Sequence, residues 1–227
     1  MKRIGVLLCG CGVFDGSEIQ EAVLTLLAID EHNAEAVCFA PNINQHHVLN
    51  HTNGEEMNET RNVLVESARI ARGNIKSLFD ITVNDFDAMV IPGGFGDAKN
   101  LTKWAFSGAK GEILPEVKAI INDCVKAGKP VVGLCMGPTV IAKALEGSGI
   151  EASLTAGTTE EKSPYDIQEV TNEMASLGAK VEMKNIKEIT IDSKYKIISA
   201  PCYMMEASIK EIRQNVNQAF VALFEML

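Results

Sequence analysis

Gly133-Leu134-Cys135-Met136-Gly137-Pro138 closes an apolar run, Pro130–Leu134, and opens a helix-compatible segment reaching Leu145. Gly-x-Cys-x-Gly between a strand and a helix has the form of a nucleophile elbow with cysteine in the nucleophile position. The small flanking residues let the backbone bend sharply, and the bend projects one side chain above the amino end of the next helix. The helix dipole and nearby N–H groups favour the thiolate, the reactive form of cysteine. The bland alternative is a core thiol at a strand end, because free cysteine is among the most buried residue types.

A nucleophile of this kind needs N–H donors for the oxyanion it creates. Met136, next after the cysteine, offers one. Pro92-Gly93-Gly94-Phe95-Gly96 follows another apolar run, and its glycines let the backbone come close to a ligand; Gly94 is the second candidate. Glu18 and Glu21 occupy the first turn of the helix expected after the first strand. Acids there are commonly simple dipole partners, but such a position also brings a carboxylate within reach of Cys135. Beside a thiolate a buried Glu tends to hold a proton, which it can lend to sulfur and move during turnover. Glu18 is the candidate for that role.

Other chemistry-bearing residues give weaker signals. His32, His46, His47 and His51 all precede Cys135, whereas a Cys–His hydrolase of this layout keeps its base after the nucleophile. His47 and His51 are four apart, without the Cys or acid pattern of a zinc site, so a solvated polar loop explains them better. Gly10-Cys11-Gly12-Val13-Phe14-Asp15-Gly16 imitates a dinucleotide loop but has Asp15 at the third glycine position. Cys9 and Cys11 lack Cys-x-x-Cys spacing, and Cys38, Cys124 and Cys202 read as core thiols.

The elements that must position these residues alternate. Strands are expected at Arg3–Cys9, Glu35–Ala40, Ala88–Ile91, Pro130–Leu134 and Ile197–Ala200. Helices are expected at Ser17–Glu31, Asn58–Arg72, Glu112–Ala127, Pro138–Leu145, Tyr165–Leu177 and Met205–Glu225. Ser17 and Gln20 suggest a capping box for the first helix, with Ile19, Val23, Leu26 and Leu27 as its apolar face. Lys180–Asp192 reads as an extra edge element. Strands alternating with helices imply an α/β sandwich, a mainly parallel sheet covered on both faces. Sites in such sheets form beyond the carboxyl ends of the strands.

Composition sets outer bounds. With 227 residues, 46% of them hydrophobic, the chain can bury one large core, and no linker or repeat divides residues 1–227. A net charge of −9 argues against nucleic acid and anionic membranes as partners. No apolar stretch approaches the roughly 20 residues that span a bilayer, and no secretory signal opens the sequence. Six scattered cysteines then read as reduced thiols in a cytoplasm.

Together the loops resemble the class I glutamine amidotransferase-like superfamily, in the branch of PfpI-type peptidases and the Parkinson-associated deglycase. The residues that carry this are Glu18, Pro92-Gly93-Gly94 and the elbow around Cys135. A closer resemblance, over nearly the whole chain, is to the ElbB-like proteins, also called enhancing lycopene biosynthesis or sigma cross-reacting proteins. It rests on Asp15-Gly16-Ser17-Glu18-Ile19, Cys38-Phe39-Ala40-Pro41, Asn50-His51, Glu59-Thr60-Arg61-Asn62, Pro92-Gly93-Gly94-Phe95-Gly96, Ala98-Lys99-Asn100-Leu101 and Pro201-Cys202-Tyr203-Met204. His51 and Asn100, inside these shared segments, are candidate pocket residues.

The resemblance implies a flavodoxin-like three-layer sandwich, a homodimer and a glyoxalase that needs no cofactor or metal. Its substrate is a small aldehyde, with glyoxal converted to glycolate. It implies Cys135 as nucleophile, Glu18 as its acid partner, and the Gly94 and Met136 N–H groups as oxyanion donors. The histidine of the amidotransferases and deglycases should fall near Leu154-Thr155-Ala156-Gly157, where this chain has Gly157, as ElbB-like proteins do. That absence weakens a hydrolase or deglycase reading. It leaves an oxidisable, redox-sensing Cys135 as the other alternative to glyoxal chemistry.

Overall fold

The computed structural model describes all 227 residues. Strands β1 (Arg3–Leu7), β2 (Glu35–Ala40), β3 (Lys76–Ser77), β4 (Ala88–Ile91) and β5 (Val131–Leu134) build most of one sheet. A separate two-stranded pair joins β6 (Ser153–Leu154) to β7 (Lys180–Val181), and β8 (Thr190–Asp192) and β9 (Ile197–Ala200) complete the main sheet. Its order is β3-β2-β1-β4-β5-β9-β8, parallel throughout except where β8 runs against β9. The central strands are apolar without alternation because helices cover both faces; β4, β5 and β9 are buried at every position.

The helices are α1 (Ile19–Glu31), α2 (Val63–Ile70), the short α3 (Trp104–Ser107), α4 (Pro115–Lys126), α5 (Gly137–Leu145), α6 (Ile167–Ser176) and α7 (Ile209–Glu225). The chain leaves β1 for β2 on one side, then returns to place β4 on the other side of β1. Right-handed crossovers in opposite directions put their helices on opposite faces. Accordingly α1 packs with α7, and α4 with α5. The reversal between β1 and β4 is the topological switch point of the sheet, where such folds hold their ligands. The loops after β1, β4, β5 and β9 meet there.

Several expectations shift in the structure. Ser17 does not cap α1: it is buried, and its hydroxyl accepts the Cys9 N–H at 2.9 Å. Glu18 is the N-cap, its carboxylate accepting the Glu21 N–H at 2.6 Å. The inward face of α1 is Glu21, Ala22, Thr25, Ala28 and Ile29, while Ile19, Val23 and Leu27 lie at the surface. Once Glu21 points inward, helical spacing carries positions 25 and 28 with it. Residues 58–61 stay outside α2, which starts only after its Asn62 cap. The Lys180–Asp192 segment splits, β7 joining β6 and β8 the main edge. A π-helical turn at Asp97–Leu101, following the glycine turn, had no signal in the hydrophobic period.

Candidate active site at the elbow of β5 and α5

Cys135 stands where the elbow motif requires. Its φ of +54° is a left-handed conformation at a non-glycine residue, strain that clusters at functional sites. Its N–H donates to Ala200 O of the neighbouring strand at 3.0 Å, which fixes the bend. Both flanking glycines are required by crowding. A Cβ at Gly133 would come to 2.8 Å from the Pro138 nitrogen, and one at Gly137 to 2.7 Å from Ile91 O. Thr139 ties the turn down by donating its hydroxyl to Met136 O at 2.7 Å.

The sulfur is not the exposed thiolate that the helix dipole suggests. Cys135 is only 4% exposed. Burial, followed by the nearby Glu21 carboxyl, pushes its thiol well above the usual range, and the neighbouring Gly94 N–H pulls the other way. A dipole at a helix start contributes at most about 2 kcal/mol, and here desolvation outweighs it.

The acid beside sulfur is Glu21. A Cβ at Gly93 would collide with both the Cys135 Cβ and Glu21 Oε2, and would lie 2.8 Å from the sulfur. The thiol and the carboxyl therefore face one nook that only a glycine leaves open. Glu21 is fully buried. Its Oε2 accepts the Gly93 N–H at 3.0 Å and its Oε1 the Tyr203 N–H at 3.0 Å. Burial, then repulsion from Glu18, raises its carboxyl to about 8. At neutral pH it mostly carries a proton.

Glu18 sits one turn earlier and does something else. Its side chain caps α1, and its own N–H donates to Gly93 O at 2.7 Å. In a trans peptide the following N–H points the opposite way. Glu18 thus aims the Gly94 N–H at the sulfur, and Gly94 has a φ of +112° with no room for a side chain. The Met136 N–H, like that of Gly94, is taken by no other oxygen of the protein. Both expected donors are free of protein acceptors beside the Cys135 sulfur.

The remaining candidates lie apart. Asn100 is buried, and its amide bridges Cys9 O and Asp15 O at 2.9 Å each while accepting the His46 N–H at 2.9 Å. It is a strut holding three loops, with no group left for a substrate. His51 stacks on Phe14 and accepts the Phe14 N–H at 3.2 Å, with Asp15 at 3.8 Å. His32 stacks on Phe224, and His46 and His47 pack on Phe106. No imidazole contacts Cys135. Where the superfamily histidine should fall, Gly157 has a φ of +125°, and a Cβ there would lie 2.7 Å from Met205 Sδ. No three His, Cys, Asp or Glu side chains converge as a metal site would require.

The glutamine amidotransferase class-I family model matches residues 57–217, which include the glycine turn and the elbow. The chain belongs to that family. The matched span leaves out Glu21, but relatives cover it. The human glutamine amidotransferase-like class 1 domain-containing protein 3, mitochondrial, is 37% identical across 99% of this chain and 83% of its own length. Among solved structures, an isoprenoid biosynthesis protein with an amidotransferase-like domain from Ehrlichia chaffeensis is 34% identical, covers 100% of this chain and 99% of its own, and has a TM-score of 0.89. Drosophila melanogaster DJ-1beta shares the fold alone, at 13% identity and a TM-score of 0.58 over 99% of this chain and 96% of its own. The flavodoxin-like α/β sandwich of this family is therefore the fold, and the superfamily fits a cysteine-based activity.

Two residues escaped the sequence reading. Tyr165 bounds two cavities. One, of about 600 Å³, contains Phe95, Trp104 and Met136; the other, of about 410 Å³, contains Glu18 and Tyr203. Asp97, fully buried, accepts the Cys9 thiol at 3.3 Å on Oδ1 and leaves Oδ2 unpartnered. Burial first of all pushes its carboxyl far up, so it stays neutral behind the glycine turn. A lone Tyr after a proline and a lone Asp after a glycine turn carry no spacing that would have marked them.

Proposed function

We propose that this chain is a cofactor-free, cysteine-dependent enzyme acting on small 2-oxoaldehydes, converting glyoxal to glycolate. The observation that carries this reading is the buried Cys135–Glu21 pair under two free N–H groups, with no imidazole at the sulfur. The Cys135 sulfur adds to one aldehyde carbon, and the thiol proton passes to the ionised fraction of Glu21. The oxyanion is received by the Gly94 and Met136 N–H groups. Glu21 returns that proton to the oxyanion, giving a neutral hemithioacetal and a carboxylate. The carboxylate takes the proton of the sulfur-bearing carbon and delivers it through an enediol to the neighbouring carbon, while the hydroxyl proton of the first carbon passes to the second oxygen. The resulting thioester takes up one water and releases the 2-hydroxy acid and the free thiol. A carboxyl near 8 serves both directions of that transfer close to neutral pH.

The rival readings have less support. Peptide or amide hydrolysis needs an acid to protonate a leaving amine, and the histidine that does so in Cys–His enzymes has no counterpart at this sulfur. Redox sensing favours accessible, low-pKa thiols, whereas this thiol is buried and pushed up. The deciding assay is glyoxal consumption with glycolate detection, on folded wild type and Cys135→Ala. The expected result is turnover in the wild type only. Equal consumption by the two proteins overturns the reading.

A further inference from the structure

We propose that Tyr165 is a catalytic residue of this site, donating a hydrogen bond from its phenol to the oxygen of the substrate held by Cys135. The proposal rests on the carbonyl-adding reading above. It gives the site a third donor, from the chain segment that follows the position of the absent histidine.

The placement comes from tethers. The Tyr165 N–H donates to Ser163 Oγ at 2.9 Å, and Ser163 Oγ donates to Met204 O at 2.6 Å. These bonds pin the 163–165 segment to the turn after β9, the strand that holds the Cys135 N–H. On its other side the Tyr165 ring meets Phe95 nearly edge-on, with centroids 5.7 Å apart. Phe95 follows Gly94 directly. The ring is thus fixed between the two segments that flank the sulfur, and it forms a wall of both cavities.

The chemistry follows from what the phenol lacks and what surrounds it. The Tyr203 hydroxyl is engaged by Gln20, whereas the Tyr165 hydroxyl makes no hydrogen bond within the protein. Burial, followed by Cys135, Glu21 and Glu18, pushes the Tyr165 phenol far above its usual range. It keeps its proton throughout the working pH range and can act only as a neutral donor or acceptor. An oxyanion forming next to Cys135 is the acceptor it fits. No proton needs to leave the phenol: it shares hydrogen with the oxygen while Glu21 performs the transfers. Packing on Phe95 also limits the motion that would weaken such a bond.

Two measurements on wild type, Tyr165→Phe and Tyr165→Leu test this, each protein first checked for an unchanged fold. The first is steady-state glyoxal turnover. The second is protection of Cys135 from maleimide by glyoxal, read by mass spectrometry, which reports the reversible adduct whether or not turnover follows. Tyr165→Phe keeps the ring against Phe95 and removes only the hydroxyl. Its kcat should fall by about 100-fold, the lower end of the range for losing one oxyanion donor, and half-protection should need roughly tenfold more glyoxal, with KM rising by no more than that. If Tyr165→Phe matches the wild type in both while Tyr165→Leu is impaired, the residue is only packing and the proposal is overturned. A wild type that forms the adduct without turnover overturns the glyoxalase reading, and the protection shift still decides Tyr165. A wild type that forms no adduct overturns both.

Discussion

The nook beneath Cys135 and the loop carrying His46, His47 and His51 treat titratable groups in opposite ways. In the nook, Glu21 is fully buried with an N–H on each carboxylate oxygen. In the loop, His51 is about a third exposed and leans on Phe14. Imidazole is the usual proton carrier near neutrality because its ordinary pKa already lies there. Here the imidazoles pack on phenylalanines away from Cys135, and a carboxyl beside its sulfur is lifted to about 8 by burial. The required property is a poised pKa, and environment supplies it to the residue that geometry has placed at sulfur.

The change with the largest expected effect closes the nook. Gly93→Ala puts a methyl group into contact with Cys135 and Glu21 Oε2, and overpacking of this kind costs typically about 1–3 kcal/mol. Glyoxal turnover should vanish as completely as in Cys135→Ala while circular dichroism still shows a folded chain. Glu21→Gln keeps the shape but loses the proton carrier, so kcat/KM should fall about 10²–10⁴-fold, the usual worth of general acid–base catalysis. The wild-type profile should rise with pH through about 8 as the Glu21 carboxylate forms, and the variant should lack that limb. A variant retaining the limb would assign it to another group and end the comparison.

The raised carboxyl also has a sign in stability. Its folded value, about 8, lies above the ordinary 4.5. Its contribution is thus fully present below pH 4.5, and it is lost as pH rises until the folded carboxyl ionises near 8. Each unit is worth about 1.4 kcal/mol, so the loss is a few kcal/mol. Denaturant midpoints of wild type minus Glu21→Gln, taken at pH 5 and pH 9, should show the wild type losing ground by that order. Subtracting the variant removes the buried thiols, which titrate in both proteins. A pH-independent difference would mean that Glu21 is already ionised in the fold.

Much of this was legible in the chain, and the misreadings have physical causes. The strands and the elbow announce themselves because apolar runs end in glycines whose missing side chains the turns require. Glu18 and Glu21 could not be told apart, since both lie in the first helical turn and differ only in rotation about its axis. The apolar residues Ile19, Val23 and Leu27 suggested the wrong inward face. What decides the rotation is tertiary: the Gly93 and Tyr203 N–H groups, 72 and 182 residues away, meet on Glu21. Glu18→Ala sharpens the distinction. It should cost about 1 kcal/mol as a lost cap and lower kcat by less than about tenfold, because its backbone N–H still holds Gly93 O while side-chain truncation leaves Glu21 in place.

His51→Ala is the smallest effect and the control on the other side of the comparison. The substitution removes the stack on Phe14 and the acceptor for the Phe14 N–H. Both contacts lie at the surface, where such losses stay within about 1 kcal/mol. Its contacts are Phe14, Asp15 and Leu49 rather than the thiol or Glu21, so kcat/KM should stay within about twofold of wild type and the limb near pH 8 should not move. A loss as large as that of Glu21→Gln would mean that the loop swings its imidazole to the sulfur during turnover. The proton carrier would then be a histidine after all, brought in from a loop rather than built into the nook.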